Sequence, residues 1–186
     1  MMANKTTSDL PEATDMAQDD LLYAVIGGNS RGIQKQNLYP SALFEDQKAA
    51  STNGGASTSG SWLTRTLNTE VYDDIGLTLG SDQISLAAGD YQADAWAAFY
   101  RSDACRIRVR DVTNSVTLVV GDNSYANNTN LGSVMAELHG RFTLADTATI
   151  ELQYRVTVGT GTNGLGVQTN WGEVEIYAGL GLTRLS

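Results

Sequence analysis

One cysteine, one histidine and two prolines in 186 residues set the first limits on this chain. A single Cys105 can form no internal disulfide and cannot supply a zinc site of the CxxC kind. A single His139 excludes the HExxH arrangement, which needs two imidazoles on one helix face. Positive charge is scarce too: 12 Lys+Arg stand against 21 Asp+Glu, a formal charge of −9. Binding to nucleic acid needs a clustered cationic surplus, so nucleic acid is not an expected partner. No apolar run approaches the ~20 residues of a membrane span, and the opening Met1-Met2-Ala-Asn-Lys5 lacks the apolar stretch of a signal peptide. The chain is expected to be made in the cytosol, soluble, neither secreted nor inserted in a membrane. These shortages argue against an enzyme, and no cofactor or metal is expected.

What the chain does have is alternation. Ile150, Leu152, Tyr154, Val156 and Val158 fall on one face of a strand, with Thr149, Glu151, Gln153, Arg155 and Thr157 on the other. Residues 133–144 repeat the pattern, with Val134, Ala136, Leu138, Phe142 and Leu144 inward and Glu137, His139 and Arg141 outward. Tyr91, Ala93, Ala95, Ala97 and Phe99 make a third such face, and Ile107 with Val109 a fourth. A period of two means half-buried antiparallel strands. Gly-, Asn- and Asp-rich breaks at 88–90, 121–124, 127–128, 145–146 and 159–164 separate them. Roughly eight to ten strands with no packing helix predict an all-β fold, a sandwich or jelly roll, over residues 62–186.

Residues 49–61 carry no charge and no large apolar side chain, so they bury too little to offset their ordering entropy and read as a flexible linker. Before them, residues 20–26 and 31–38 flank Gly27-Gly28 and predict a β-hairpin. A lone hairpin is marginal in water, so this one needs a partner. Leu21, Leu22, Tyr23, Val25, Ile26, Ile33 and Leu38 are its candidate anchoring residues. Residues 41–50, with Ser41 as cap and Glu45 in the first turns, predict a short helix. The expected organisation is an anchor segment over 1–48, a linker over 49–61 and a head over 62–186.

The stretches Asp9-Leu-Pro-Glu-Ala-Thr14 and Asp19-Asp-Leu-Leu-Tyr-Ala-Val-Ile-Gly-Gly28, with Ser30, Ile33 and Asn37-Leu38, resemble a module found near the N-termini of bacteriophage fibre and spike proteins. Gly60-Ser-Trp-Leu-Thr-Arg-Thr-Leu-Asn-Thr69, Leu86-Ala-Ala-Gly-Asp-Tyr91 and Trp171-Gly-Glu-Val-Glu-Ile-Tyr177 look like phage fibre heads. Those heads are similar in fold to the trimeric jelly rolls of tumour necrosis factor and the complement globular head. The resemblance implies a homotrimer attached by its N-terminus to a capsid or tail protein. It implies a jelly-roll head on the virion surface, assembled in the host cytoplasm, with a host cell-surface glycan or protein as a further partner. The chain has no long shaft, which favours a short spike.

Several residues invite a chemical reading. Arg106, Arg108 and Arg110 share one face of a strand. Two readings stay open: a bidentate grip on an anionic glycan or a lipopolysaccharide phosphate, or an exposed or inter-subunit face paired with carboxylates such as Asp94, Asp103 or Asp111. The polar loop 121–132, with Asn123, Tyr125, Asn127 and Asn128, and the segment 159–166, with Asn163, are the expected receptor-facing edges. The loop lacks the regular Asp spacing of a calcium site. Residues 159–164 match GxGxxG, but no helix N-terminus follows to hold a phosphate, so a hairpin turn is expected. His139 lacks a GxSxG nucleophile partner and reads as a surface or inter-subunit residue. Cys105 reads as a small buried side chain. Asp73-Asp74 and Asp19-Asp20 are adjacent, hence poorly placed as acid/base dyads. Trp62, Trp96, Phe99, Tyr154, Trp171 and Tyr177 are expected in the core or a trimer seam.

Two functions follow: a virion spike whose head attaches to a host surface, or a capsid-decorating protein that stabilises the particle without binding a receptor.

Overall fold

The period-two pattern is realised over residues 89–100, 103–111 and 133–144 of the computed structural model, which describes residues 21–26, 29–34 and 39–185. They fall into two units, Met1–Tyr39 and Pro40–Ser186. In the first unit β1 (Leu21–Ile26) and β2 (Asn29–Gln34) pair antiparallel, ending at Ile26↔Asn29. Residues 1–20, Gly27, Gly28 and Leu38 lie outside the described residues.

The second unit holds β3 (Ser41–Lys48), β4 (Leu63–Thr64), β5 (Thr69–Asp73), β6 (Thr78–Gly80), β7 (Gln83–Leu86), β8 (Gly89–Tyr100), β9 (Asp103–Asp111), β10 (Val116–Val120), β11 (Ser124–Ala126), β12 (Ser133–Leu144), β13 (Ala148–Val156) and β14 (Glu175–Arg184). One sheet runs β10-β9-β13-β7-β6, with β11 beside β9 and β4 beside β13; the other runs β12-β8-β14-β3-β5. Consecutive strands change sheets, from β7 to β8 to β9 and from β12 to β13 to β14, and every pairing is antiparallel. This is an all-β jelly-roll sandwich. Its core takes the inward residue of each alternating pair: Ile84, Leu86, Phe99, Ile107, Leu138, Ile150, Leu152 and Leu180 are all fully buried. Tyr91 stacks on Phe142 with ring centroids 5.5 Å apart, and Phe99 meets Tyr154 at 5.9 Å.

Two expectations fail here for identifiable reasons. Residues 41–48 form a strand, not a helix. β3 pairs along its length with β14 and on its other edge with β5, burying Ala42 and Phe44. Tertiary pairing overrides a weak local helix preference, and the sandwich therefore begins at β3, ahead of the predicted head boundary at 62. Residues 49–61 are not a free linker either. The amide of Gly54 donates to Gly166 O at 3.0 Å, that of Leu165 to Gly55 O at 3.0 Å, and that of Ser57 to Thr160 O at 2.9 Å. Tyr177 Oη donates to Thr52 O at 2.8 Å, and the Gln168 amide donates to Asn53 Oδ1 at 3.0 Å. The small side chains serve close approach rather than flexibility: a Cβ at Gly54 would collide with the Leu165 carbonyl.

The sheets are joined through Arg65, which is fully buried. Its amide donates to Leu152 O of β13 at 2.7 Å. Its guanidinium pairs with Asp46 of β3 at 2.7 Å and donates to the carbonyls of Leu165 and Tyr177 at 3.1 and 3.2 Å. Lys48 Nζ reaches the second Asp46 oxygen at 2.9 Å. Burial lowers the Arg65 pKa, and Asp46 opposes that shift.

Removing one partner of a buried ion pair leaves an uncompensated charge, whereas replacing both with apolar groups is far milder. Arg65→Met and Asp46→Leu are each expected to cost about 3–5 kcal/mol in urea unfolding, and the double variant to recover most of that loss. Amide hydrogen exchange checks the ordered tract: the Gly54, Ser57 and Arg65 N–H groups are expected to be protected, unlike those of a solvated linker.

Candidate functional site

Arg106, Arg108 and Arg110 alternate with the buried Cys105, Ile107 and Val109, so all three point outward from β9. The register with β13 then places Arg155 opposite Arg106, Gln153 opposite Arg108 and Glu151 opposite Arg110. Four guanidiniums share one sheet face in an acidic protein, and among the described residues none of them forms an ion pair. The carboxylates expected to pair with the stripe are engaged elsewhere. Asp94 lies on the other sheet, beside His139. Asp103 accepts the Asn128 amide at 2.9 Å, and Asp111 is buried and holds the Asn114 amide at 3.0 Å. Glu151 accepts from Thr64 Oγ1 and Gln83 Nε2, each at 3.0 Å, and from Gln153 Nε2.

Arg108 is the most constrained of the four. It donates to Gln153 Oε1 at 2.7 Å and Thr117 Oγ1 at 2.9 Å, and its guanidinium carbon lies 4.2 Å from the centroid of the Trp62 ring, a cation–π contact. Burial lowers its pKa, and the neighbouring Arg110 and Arg155 push the same way. Arg106 donates through Nε to Gly121 O at 2.7 Å.

Beside this row the surface dips into an open cleft of about 560 Å³, within the range of small-ligand sites. Arg106 and Asn123, two of the residues expected to bind, line it together with Trp62, Ser124, Arg155 and Gly60. Tyr125 stands across from Ala104, another lining residue, and is 61 % exposed. A hydrogen bond to Asp103 raises its pKa. Cys105 also borders the cleft, but burial pushes its thiol up to about 11, which leaves it protonated and unreactive at neutral pH.

The remaining candidates lie elsewhere. Asn127 spends its side chain on its own turn, accepting the Asn130 amide at 2.7 Å, and the Asn128 carbonyl accepts from Arg101 Nε at 3.0 Å. Asn163 accepts the Gly166 amide through its carbonyl, within the tract that packs on residues 54–57. The GxGxxG stretch belongs to that same tract, with no helix after it. Asp73 caps a turn through the amides of Ile75, Gly76 and Leu77. Among the described residues no cluster of His, Cys, Asp and Glu is placed to hold a metal, and no helix is long and apolar enough to cross a membrane.

Of the aromatics, Phe99, Tyr154 and Tyr177 are buried, Trp62 and Trp96 half-buried, and Trp171 is 81 % exposed. Trp171 is therefore no core residue. It caps a loop whose base is fixed by Glu175, a carboxylate accepting the Thr169 amide at 3.0 Å and the Asn170 amide at 3.2 Å. Those bonds, the Thr169 amide's foremost, hold Glu175 below its ordinary pKa. Trp62 and Arg155 were not foreseen as binding residues, because only the strand register brings them beside Arg106.

The other sheet presents a different outer face. Trp96 lies flat over Gly179, where a Cβ would fall inside the indole. The register sets Glu137 of β12 opposite Trp96 and Glu45 of β3 opposite Gly179, while Met135 and Leu43 stand one outward step along their strands in opposite directions, with Asp94, His139 and Gln92 beyond.

No protein-family model matches the chain, and no curated protein sequence matches it. Solved structures do match in fold. The PRD1 vertex protein P5 is similar over 100 % of both chains, with a TM-score of 0.52 at 10 % identity. Murine APRIL at pH 5.0 is similar over 79 % of this chain and 99 % of its own, with a TM-score of 0.51 at 12 % identity. At such identities the likeness shows the jelly-roll fold.

His139 Nδ1 lies 2.8 Å from Asp94 Oδ1, and that hydrogen bond raises the imidazole pKa, with Glu137 and Asp122 adding to it. A raised pKa means that the pair contributes below the ordinary value of 6.5 and that its contribution fades as pH rises through the elevated value. The chain has a single histidine, so its NMR titration is unambiguous. The midpoint is expected above 6.5, moving back toward that value in Asp94→Asn.

Proposed function

We propose that this chain is a short virion spike: a homotrimer docked on a capsid or tail protein by residues 1–39, with the jelly-roll head displayed for attachment to a host surface. The observation that carries this reading is the contrast between the two outer faces of the sandwich. The β12-β8-β14-β3 face presents Leu43, Trp96 and the exposed Met135 interleaved with Glu45, Asp94, Glu137 and His139, a mixed apolar and polar surface of the kind that protein interfaces bury. The opposite face carries four guanidiniums without ion pairs and suits an external ligand.

A second copy and a third are the occupants assigned to the apolar face, as in the trimeric jelly rolls that the sequence resembles. The likeness in fold to a virion vertex protein, along the whole of both chains, supports placement on a virion surface. The hairpin supports docking. Two strands are marginal alone, and β1 and β2 form a sheet with no third strand among the described residues. Leu21, Leu22, Tyr23, Val25, Ile26, Ile33 and Leu38 are assigned to that anchor. The reading gives the chain no catalytic role.

Light scattering on the full chain tests it. The expected mass is three times 19.9 kDa, and Met135→Glu is expected to yield folded monomers. A wild-type monomer overturns the trimer. Labelling that places the protein on the particle, together with normal adsorption of particles from which it has been deleted, favours the decorating role over attachment.

A further inference from the structure

We propose that the cleft bordered by β4, β9, β11 and β13 binds an acidic saccharide, a sugar ring bearing a carboxylate or phosphate. Its oxyanion sits between Arg106 and Arg155, and its ring lies against Trp62. This rests on the spike reading only in saying what the head takes hold of.

The first argument is electrostatic. Arg106 and Arg155 are directly opposed across adjacent strands, and like charges so placed destabilise a sheet. Neither has an ion pair, and the Arg155 side chain makes no hydrogen bond among the described residues. Arg106 is steadied at Nε by Gly121 O, which leaves its terminal nitrogens for a ligand. Two guanidinium forks facing one gap match the planar oxygens of a carboxylate or phosphate.

The second argument is the lining. The Trp62 indole is held in place by Arg108 at 4.2 Å, a rigid apolar plate beside the cation pair. Asn123 and Ser124, on the far wall, supply hydrogen-bonding groups suited to hydroxyls. An aromatic plate, two cations and neutral polar groups make a site for a ring that is apolar on its face, hydroxylated at its edge and charged at one point.

The third argument concerns charge density. The chain carries −9, so a long, densely charged polyanion meets net repulsion from the molecule as a whole. Duplex DNA presents one charge per ~1.7 Å, whereas an acidic polysaccharide spaces its charges a sugar apart. The small positive patch suits the second. In a trimer three such sites would act together, so weak single contacts gain avidity.

Titration calorimetry on the full chain is the test. The probes are a galacturonate tetrasaccharide, a phosphorylated glucose oligosaccharide, a neutral glucose tetrasaccharide, inorganic phosphate and a short thymidine oligonucleotide. One or both acidic saccharides are expected to bind, and which does so identifies the oxyanion. Arg106→Gln and Arg155→Gln are each expected to weaken binding at least tenfold, and Arg141→Gln, on the other sheet, to leave it unchanged. Trp62→Leu is expected to weaken the saccharide and spare inorganic phosphate. Without ligand, Arg155→Gln is expected to raise the melting temperature by about 1–3 °C, because it removes the like-charge pair.

Equal binding of the neutral saccharide, inorganic phosphate binding as tightly as the sugars, tighter binding of the oligonucleotide, no binding of either acidic saccharide, or a lower melting temperature in Arg155→Gln each overturns the proposal. A trimer found on virions that binds neither acidic saccharide overturns this inference alone. A monomer that binds one overturns the spike reading alone.

Discussion

A guanidinium with no exposure to water must find its anion and its acceptors inside the protein, and Arg65 finds them in three separate segments. Asp46 comes from β3, the Tyr177 carbonyl from β14, and the Leu165 carbonyl from the tract that packs on residues 54–57. Its Nε is buried without a hydrogen-bond partner, so the contacts of the two terminal nitrogens carry the charge in a medium of low dielectric, and losing any of them is costly. That obligation fastens one sheet to the other and orders a glycine- and serine-rich stretch that has little else to bury. It also fixes β4, whose two residues form too short a ladder to hold themselves. Trp62 enters at the head of β4, and so the buried pair, through the backbone, sets the indole beneath Arg108 and beside Arg155.

From this frame the two faces of the sandwich acquire opposite characters. Where Gly179 lacks a side chain the Trp96 indole lies over it, and the face around it is the one proposed to meet a copy of the same chain. On the far sheet the alternation that buries Cys105, Ile107 and Val109 lifts three arginines to the surface, and β13 adds a fourth. The overall charge of −9 makes this face the exception rather than the rule. In the proposed trimer the acidic remainder keeps copies from clustering nonspecifically, and the cationic row faces out.

Much of this was legible in the chain. The alternation in β8, β12 and β13 gives the strands, their inward faces and the fold class, because a half-buried strand can satisfy its core in only one way. Residues 41–48 misled because their local preference is weak and their partners, β14 and β5, are remote in sequence. Residues 49–61 mislead because composition shows how little their side chains bury but not the backbone hydrogen bonds that order them; Gly54 is small in order to touch Leu165, not to stay loose. The arginine stripe on β9 could be read directly. Its opposition to Arg155 could not, since register between distant strands is set by the finished sheet, and Trp62 looked like any core aromatic until Arg65 fixed its place.

The account depends most on which face of the sandwich the copies share. A structure of the full-length oligomer by electron cryo-microscopy measures that directly. The account predicts three copies meeting through the face centred on Trp96 and Met135, with Arg106 and Arg155 open to solvent on the outside. Copies that meet through the arginine face, burying Arg106 and Arg155 against a neighbour, would contradict it.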